Sequence, residues 1–466
     1  MSTIAAISTP FGRGGIAVIR ISGENALDVA TKMFKTAGGR NLKEVSGGTA
    51  IYGEIISEGK RIDDGIATVF RAPKSFTGED VVEISCHGGI LLSERVLKAA
   101  FDNGAVQAGP GEFSQRAFLN GKISLSEAEA IIGLIDAENE EKLKLSASHT
   151  DGVLKRCCDE IYAKILNLLS SVYVKIDYPE EDLAEVSDEQ FGAKMREILS
   201  ELDALASTYR HGKAVSEGVK ATLVGKPNAG KSSLLNALLG EKRAIVTDIA
   251  GTTRDVIEEK IAAGRIILRL FDTAGIRESS DEVEKIGISL ALQKAREAEL
   301  VIAVFDTAPA ISEQDDAVIS LARELLEDGK CVIFALNKSD TQVYSGALNE
   351  LIYGLCAKYK RAKALNVSAK TGEGVQEIKN IAEAFFCERE IDYNGEAVLA
   401  NARQFSAVTM AKNAVVRAID AFDANFCADV CGLDLESALA YLGEVDGRAV
   451  SGDITDAIFH NFCVGK

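Results

Sequence analysis

Residues 225–232 read Gly225-Lys226-Pro227-Asn228-Ala229-Gly230-Lys231-Ser232, which is the pattern G-x-x-x-x-G-K-S. A mainly apolar run, 219–224, precedes it and another, 233–239, follows it, so the sequence predicts strand, loop and helix in that order. Such a loop holds phosphates because its amide groups and the helix N-terminus face the anion. Lys231 is expected to reach the β- and γ-phosphates, and the Ser232 hydroxyl to ligate Mg²⁺. The alternative is a glycine-rich turn that binds nothing, and the flanking elements argue against it.

The identity of the base is predicted by Asn337-Lys338-Ser339-Asp340, which follows the apolar strand 331–336. Ligands bind at the carboxyl ends of the strands in an open α/β sheet. The Asp340 carboxylate can accept both adjacent donors of guanine, whereas adenine offers no such pair. We expect the Lys338 stem to lie over the base, and residues 367–370 to offer a backbone N–H to the guanine carbonyl. The predicted nucleotide is therefore GTP.

Two further segments between these motifs are typical of a nucleotide switch. Asp272, in Asp272-Thr273-Ala274-Gly275, is expected to hold Mg²⁺ through water, and the Gly275 amide to contact the γ-phosphate. Thr252 or Thr253 is expected to close over the metal, and we assign Thr253 to Mg²⁺ with Ser232. Positions 217–380 thus resemble a Ras-like GTPase domain. The predicted GTP-binding residues are Asn228, Ala229, Gly230, Lys231, Ser232, Ser233, Thr247, Asp248, Ile249, Ala250, Gly251, Thr252, Thr253, Asp272, Thr273, Ala274, Gly275, Asn337, Lys338, Asp340, Ser368, Ala369 and Lys370.

The residue after the D-x-x-G motif departs from the Ras pattern. Ras-like enzymes usually carry a glutamine there to orient the attacking water, but this chain has Ile276, which cannot hydrogen-bond. A monovalent cation, K⁺, is the predicted substitute, because the loop 247–253 and Asn228 supply oxygens beside the phosphates. Glu284 is the candidate catalytic carboxylate, with a solvated helix charge as its alternative reading. The predicted K⁺ ligands are Asn228, Thr247, Ile249 and Thr252.

Length and composition bound the class of protein. The 466 residues suggest about three domains. No apolar run reaches the roughly eighteen residues of a membrane span, and the first residues lack the pattern of a signal peptide. Nine cysteines without metal-binding spacing suit a reducing cytosol, so a cytoplasmic location is expected. The net charge of −18 argues against nonspecific binding of nucleic acid, so any tRNA contact needs a local basic patch or a basic partner.

The periodicity of the chain predicts a multidomain α+β protein. Residues 1–120 mix short strands, glycine turns and two helical stretches, which indicates a compact α+β domain. Residues 121–216 are helical, and a capping box at Ser124 and Glu127 begins them. The Ras-like α/β domain, 217–380, is then inserted into this helical domain, because the pattern becomes helical again over 381–466.

Both ends of the chain resemble one family. The segments are 12–23 (GRGGIAVIRISG), 75–83 (SFTGEDVVE), 109–122 (GPGEFSQRAFLNGK) and 458–466 (IFHNFCVGK). Together they closely resemble the MnmE (TrmE) family of tRNA-modification GTPases, and the resemblance covers the whole chain. The family's usual ending is F-C-I-G-K, so Val464 in place of isoleucine is a minor departure.

The resemblance implies a function that composition does not. The family acts with a flavoprotein partner, MnmG (GidA), in an α2β2 assembly that adds a (carboxymethyl)aminomethyl group to the wobble uridine of certain tRNAs. A 5-formyl- or 5,10-methylene-tetrahydrofolate, bound by the N-terminal domain, supplies the one-carbon unit. The family forms homodimers through these domains, and its GTPase domains meet in a K⁺-dependent way during hydrolysis. The folate residues implied here are Arg20, Glu83, Lys122 and Lys466.

Two alternatives stay open at the level of sequence. Cys463 invites a catalytic, nucleophilic reading, whereas the alternative is a buried thiol that shapes the folate site. Only His460, three positions away, is evident as a base. For the whole chain the alternative function is a regulatory GTPase switch in ribosome assembly, although such factors lack the two terminal segments.

Overall fold

The computed structural model describes residues 1–177, 188–240, 259–270, 294–306, 311–341, 346–424, 428–450, 452–460 and 462–465. The chain forms two compact units. One comprises Met1–Ile132, His149–Met195 and Asn413–Lys466, and the other Gly133–Ser148 and Arg196–Lys412. The predicted fold class, α+β with a helical part and a Ras-like α/β part, is confirmed. The domain boundaries at 120, 216 and 380 stay predictions.

The first unit contains a seven-stranded sheet in the order β3-β4-β5-β6-β2-β1-β7. Residues of β2 alternate, with Ala17, Ile19 and Ile21 in the core under α1 and α2, and Arg20 on the opposite face. The strands are β1 Ile4–Ile7, β2 Ile16–Ser22, β3 Phe34–Thr36, β4 Thr49–Ser57, β5 Lys60–Phe70, β6 Val81–His87 and β7 Val106–Gln107. The helices are α1 Ala26–Met33, α2 Ile90–Asp102 and α3 Glu112–Leu119, with a 3₁₀ turn at Leu42–Glu44.

The prediction of two helices in residues 1–120 is wrong, because α3 is a third. It has eight residues, and its N-cap is Gly111, whose φ is 64°. A side chain there would overlap Phe459, since a Cβ would lie 2.5 Å from the Phe459 carbonyl oxygen. This helix is therefore fixed by a distant segment of the chain, which its own short sequence does not reveal.

Long helices make up the rest of the first unit and continue into the second. The predicted capping box is confirmed, since Ser124 and Glu127 bond each other's backbone amides at the start of α4. Four residues of α6 are also buried, Ile161, Ile165, Leu168 and Val172, and α6 packs on α14. The helices are α4 Leu125–Ile135, α5 Glu140–Thr150, α6 Val153–Asp177, α7 Asp188–Ser207, α8 Tyr209–Ser216, α13 Ala402–Asp423, α14 Ala428–Asp446 and α15 Gly452–His460.

The second unit contains a six-stranded sheet in the order β13-β12-β11-β8-β10-β9, parallel except for β9. The strands β11 and β12 are continuously apolar and buried, as expected where helices cover both faces. The strands are β8 Val219–Val224, β9 Glu259–Ala263, β10 Ile266–Leu270, β11 Leu300–Phe305, β12 Cys331–Leu336 and β13 Ala362–Asn366. The helices are α9 Lys231–Leu239, α10 Glu313–Glu327, α11 Gly346–Lys358 and α12 Val375–Phe386. No helix in the described part of the chain is long and apolar enough to cross a membrane.

Candidate nucleotide-binding site and the C-terminal tail

The predicted phosphate loop lies between β8 and α9, at the carboxyl edge of the second sheet. Gly225 has φ 158°, and a Cβ there would lie 2.3 Å from the Val304 carbonyl oxygen of β11. Lys231, the first residue of α9, donates from Nζ to the carbonyl oxygens of Gly225 and Lys226, both at 2.8 Å. The loop therefore closes around the Lys231 ammonium, where an incoming phosphate chain would meet it.

A second lysine of this loop, Lys226, anchors it to neighbouring elements. Its Nζ lies 2.6 Å from Asp306, directly after β11, and 3.0 Å from Asp315 in the first turn of α10. Burial lowers the pKa of Lys226, but the bonds to the two carboxylates outweigh it and raise the pKa overall. The loop is thus tied to two elements through one charged side chain, which the sequence did not suggest.

The predicted base-binding residues meet the phosphate loop. Asn337 donates from Nδ2 to the Ala229 carbonyl oxygen at 2.8 Å and accepts the Ala369 amide at 3.1 Å. The Ser368 hydroxyl donates to Asp340 Oδ1 at 2.7 Å and so orients that exposed carboxylate. Asn337 therefore connects three segments that are distant in sequence. It also occupies the Ala369 amide, one of the amides expected to face the base.

Several predicted residues lie outside the described part of the chain. Of the Mg²⁺ pair only Ser232, in the first turn of α9, is described, and of the K⁺ ligands only Asn228, at φ 60°. Within the described ranges no group of three or more His, Cys, Asp or Glu side chains could hold a metal ion. The predicted residues outside the described ranges are Thr247, Asp248, Ile249, Ala250, Gly251, Thr252, Thr253, Asp272, Thr273, Ala274, Gly275, Glu284 and Lys466.

The predicted folate residues of the first unit centre on a paired arginine and glutamate. Arg20 and Glu83 are opposite each other on β2 and β6, and Arg20 Nε lies 2.8 Å from Glu83 Oε1. The Arg20 guanidinium also lies 5.5 Å from the ring centroids of Phe76 and Phe113, close enough for cation–π attraction. Lys122 is not in this group of contacts, since its Nζ donates to the Pro73 carbonyl oxygen at 3.0 Å.

The C-terminal tail, residues 462–465, lies against the N-terminal sheet. Val464 forms a β-bridge with Pro110, and the Ser8 hydroxyl donates to the Gly465 carbonyl oxygen at 3.1 Å. Gly465 has φ 100° and would place a Cβ 2.3 Å from the Ile7 carbonyl oxygen, so only glycine fits. Cys463 is exposed. The alternative of a buried thiol is therefore wrong, because Cys463 and Val464 are exposed between the buried Phe462 and Gly465.

Two models of one protein family match most of the sequence. A model described as "MnmE helical domain" matches residues 125–463, and one described as "GTP-binding protein TrmE N-terminus" matches residues 3–122. The chain belongs to the MnmE (TrmE) family. The tRNA modification GTPase MnmE of Acetivibrio thermocellus is 40% identical over 466 residues, which are 100% of this chain and 99% of that protein. Those of Clostridioides difficile and Carboxydothermus hydrogenoformans are 39% and 40% identical, again over 100% of this chain and 99% of each relative.

One network of polar side chains joins the three N-terminal segments typical of the MnmE family, and it was missed from the sequence. Arg116 is 3% exposed and contacts Glu79 at 3.1 Å and Glu112 at 2.7 Å. Glu79 also accepts the Ser22 hydroxyl at 2.8 Å, and that hydroxyl lies 2.8 Å from Thr77. The network ties all three N-terminal motifs together beside Arg20. A lone arginine in an eight-residue helix carries no sequence signal of burial, so only the motifs themselves pointed to this place.

Proposed function

We propose that the chain is a GTP-hydrolysing enzyme that, with a flavoprotein partner of the MnmG (GidA) type, adds a (carboxymethyl)aminomethyl group to the wobble uridine of certain tRNAs. Membership of the MnmE family, with relatives named tRNA modification GTPases along their full length, makes it a GTPase of tRNA modification. In this proposal it is a cytoplasmic homodimer within an α2β2 assembly. It uses GTP, Mg²⁺ and K⁺, and a 5-formyl- or 5,10-methylene-tetrahydrofolate donates the one-carbon unit.

The proposed hydrolytic site uses the carboxyl edge of the second sheet. Lys231, held by the carbonyls of its own loop, is positioned to neutralise charge on the β- and γ-phosphates as the terminal bond breaks. Ser232 would ligate Mg²⁺, which supplies further charge neutralisation when bound. Asp340, oriented by Ser368, would accept both guanine donors, and Lys338 would cover the base. This division of roles supports GTP as the nucleotide.

The proposed folate site rests mainly on one observation, the contact of the C-terminal tail with the sheet that carries Arg20 and Glu83. The tail residues 463–465 meet Ser8, Pro110 and Gly111 in the same unit. This supports a site to which Lys466 contributes a cation for the folate carboxylates, while Glu83 accepts the guanine-like donors of the pterin. The exposed ring of Phe76 fits a flat aromatic ligand, because it already borders the Arg20 guanidinium.

The alternative is a GTPase switch in ribosome assembly, and one measurement separates the two functions. Nucleosides from the wobble position of tRNA would be analysed by mass in a strain lacking this gene. The proposal expects the modified uridine to disappear and to return with the intact gene, but not with the Lys231→Ala variant. Unchanged wobble nucleosides in the deletion strain, together with a ribosome-assembly defect, would favour the switch.

Potassium is expected to accelerate GTP hydrolysis by roughly 100-fold over sodium, the lower end of the effect of one lost electrostatic stabiliser in a buried site. The reason is that Ile276 leaves the usual water-orienting position without a polar group, whereas Asn228 and the loop 247–253 offer oxygens. The measurement is steady-state turnover in KCl and NaCl of equal ionic strength. Asn228→Ala should lose most of the potassium effect. Equal rates in the two salts would exclude the cation from the mechanism.

Replacing Glu284 with alanine is expected to slow hydrolysis by roughly 100-fold, the effect typical of a lost general base. The affinity for GTP should stay the same, because this carboxylate would act on water rather than on the nucleotide. Single-turnover rates and equilibrium binding give the two quantities separately. Glu282→Ala, two positions away, is the matched control and should change neither. A parallel loss of affinity in the Glu284 variant would instead assign it a structural role.

A further inference from the structure

An open cavity of about 870 Å³ lies in the first unit where β6 passes into α2. Arg13, His87 and Arg95 line it together with the apolar side chains of Ile90 and Leu91. Neither the proposed folate site nor the nucleotide site uses these residues, and Arg20, Glu83 and Lys122 do not line the cavity. Arg13 belongs to the glycine-rich segment 12–15, for which the proposed function offers no role.

Glycines hold the two walls of this cavity together. The Gly14 amide donates to the Gly88 carbonyl oxygen at 2.8 Å, and the Gly88 amide to the Gly15 carbonyl oxygen at 3.2 Å. A Cβ on Gly88 would lie 2.5 Å from the Gly14 carbonyl oxygen, so no side chain fits between the segment around Gly14 and the segment around Gly88. Arg13 and His87, which flank these glycines, are therefore fixed on the rim of one cavity.

The orientation of His87 is set by Asp63. The His87 ring nitrogen Nδ1 lies 2.9 Å from Asp63 Oδ1, and the His87 amide donates to Asp63 Oδ2 at 3.0 Å. The His87 side chain is 71% exposed whereas that of Asp63 is 10% exposed. The bond to Asp63 raises the pKa of His87, and the nearby Asp64 acts in the same direction. Nε2 is thus the ring nitrogen left for a ligand, on an imidazole that charges readily.

The charges around the cavity are unbalanced. In the described part of the chain neither Arg13 nor Arg95 forms an ion pair, and Glu94 is the one acidic residue that lines the cavity. The His87 imidazole is paired with Asp63, so the two guanidiniums face one further carboxylate, that of Glu94, in a protein whose net charge is −18. Such a local excess of positive charge attracts and holds an anion.

We propose that this cavity binds the phosphate or carboxylate group of a small organic anion. Arg13, Arg95 and His87 hold the charged group, and Ile90 and Leu91 contact the apolar part of the same molecule. The site is separate from the phosphate loop and from Arg20 and Glu83. Binding there does not depend on GTP hydrolysis or on folate.

The pKa of His87 provides a direct test of anion binding. The chain has only four histidines, so few ring resonances have to be told apart. The full chain is saturated with Mg²⁺ and GDP, so that the phosphate loop is filled. The ring resonances are then followed by NMR against pH, with inorganic phosphate or acetate added at constant ionic strength in KCl. Phosphate is expected to raise the pKa of His87 by about one pH unit, as an opposite charge in contact does. His460, which is exposed and does not line the cavity, is the internal control and should not respond.

Variants complete the test. Arg13→Gln with Arg95→Gln should remove the response of His87 to phosphate, whereas Glu94→Gln should keep it, and both should hydrolyse GTP at the original rate. A response to phosphate alone assigns the site to phosphate esters, and a response to acetate as well includes carboxylates. The proposal is overturned if His87 responds to neither anion or responds equally in the double variant. A response to tRNA but to neither small anion would likewise overturn it.

Discussion

Replacing Asp340 with asparagine is expected to lower the affinity for guanine nucleotides by a factor on the order of 10²–10⁴. The carboxylate would accept two hydrogen bonds from guanine, and bonds to a charged group contribute about 1.5–3 kcal/mol each. Asparagine presents one acceptor and one donor, which matches the edge of xanthine instead. The same variant should therefore bind xanthine nucleotides better than the original chain does.

Equilibrium binding of GDP and XDP to both proteins measures this exchange of preference. The Ser368→Ala variant is the matched comparison, because it removes the 2.7 Å bond that orients Asp340 and leaves the carboxylate in place. That variant should bind GDP more weakly without gaining affinity for XDP. If Asp340→Asn binds GDP as tightly as the original chain, Asp340 does not read the base.

Local sequence was enough to predict the elements that carry the nucleotide site. A strand, a glycine-rich loop and a helix follow each other between Val219 and Leu239, so β8 and α9 could be placed from periodicity alone. The strand before Asn337 was visible for the same reason, as six consecutive apolar residues bounded by polar ones. Ligands bind at the carboxyl ends of parallel strands, and this rule predicted that the loops after β8 and β12 lie at the same edge of the sheet.

Contacts between distant segments could not be predicted in this way. The bond from Asn337 to the Ala229 carbonyl joins residues 108 positions apart, and the ion pairs of Lys226 depend on where β11 and α10 pack. The burial of Arg116 could not be predicted either, since it depends on three sequence motifs packing together in the folded chain. Charged side chains look alike in a sequence whether they are solvated or paired, so their partners become evident only in the folded chain.

Deletion of the end of the C-terminal tail is the second change for which we expect a large effect. Removing Val464–Lys466 is expected to weaken the binding of 5-formyltetrahydrofolate by roughly 100-fold or more and to abolish tRNA modification. The deletion removes the β-bridge to Pro110 and the proposed Lys466 cation, and each charged hydrogen bond lost costs about 1.5–3 kcal/mol. Phe462 is retained because it is 5% exposed and packs in the core beside Phe459. Calorimetry with this folate measures the first effect, and nucleoside analysis of tRNA measures the second.

Basal GTP hydrolysis should survive the deletion, because Lys231 and Asp340 belong to the other compact unit. Two point variants then distinguish the contribution of the tail's position from that of the Lys466 charge. Gly465→Ala keeps Lys466 but forces a Cβ to within 2.3 Å of the Ile7 carbonyl oxygen, so it should displace the tail. Lys466→Met keeps the tail backbone and removes only the charge. Loss of folate binding in both variants requires a tail that is both seated and charged. Unchanged folate affinity after the truncation would show that the tail is no part of the site, and would leave Arg20 and Glu83 to bind without it.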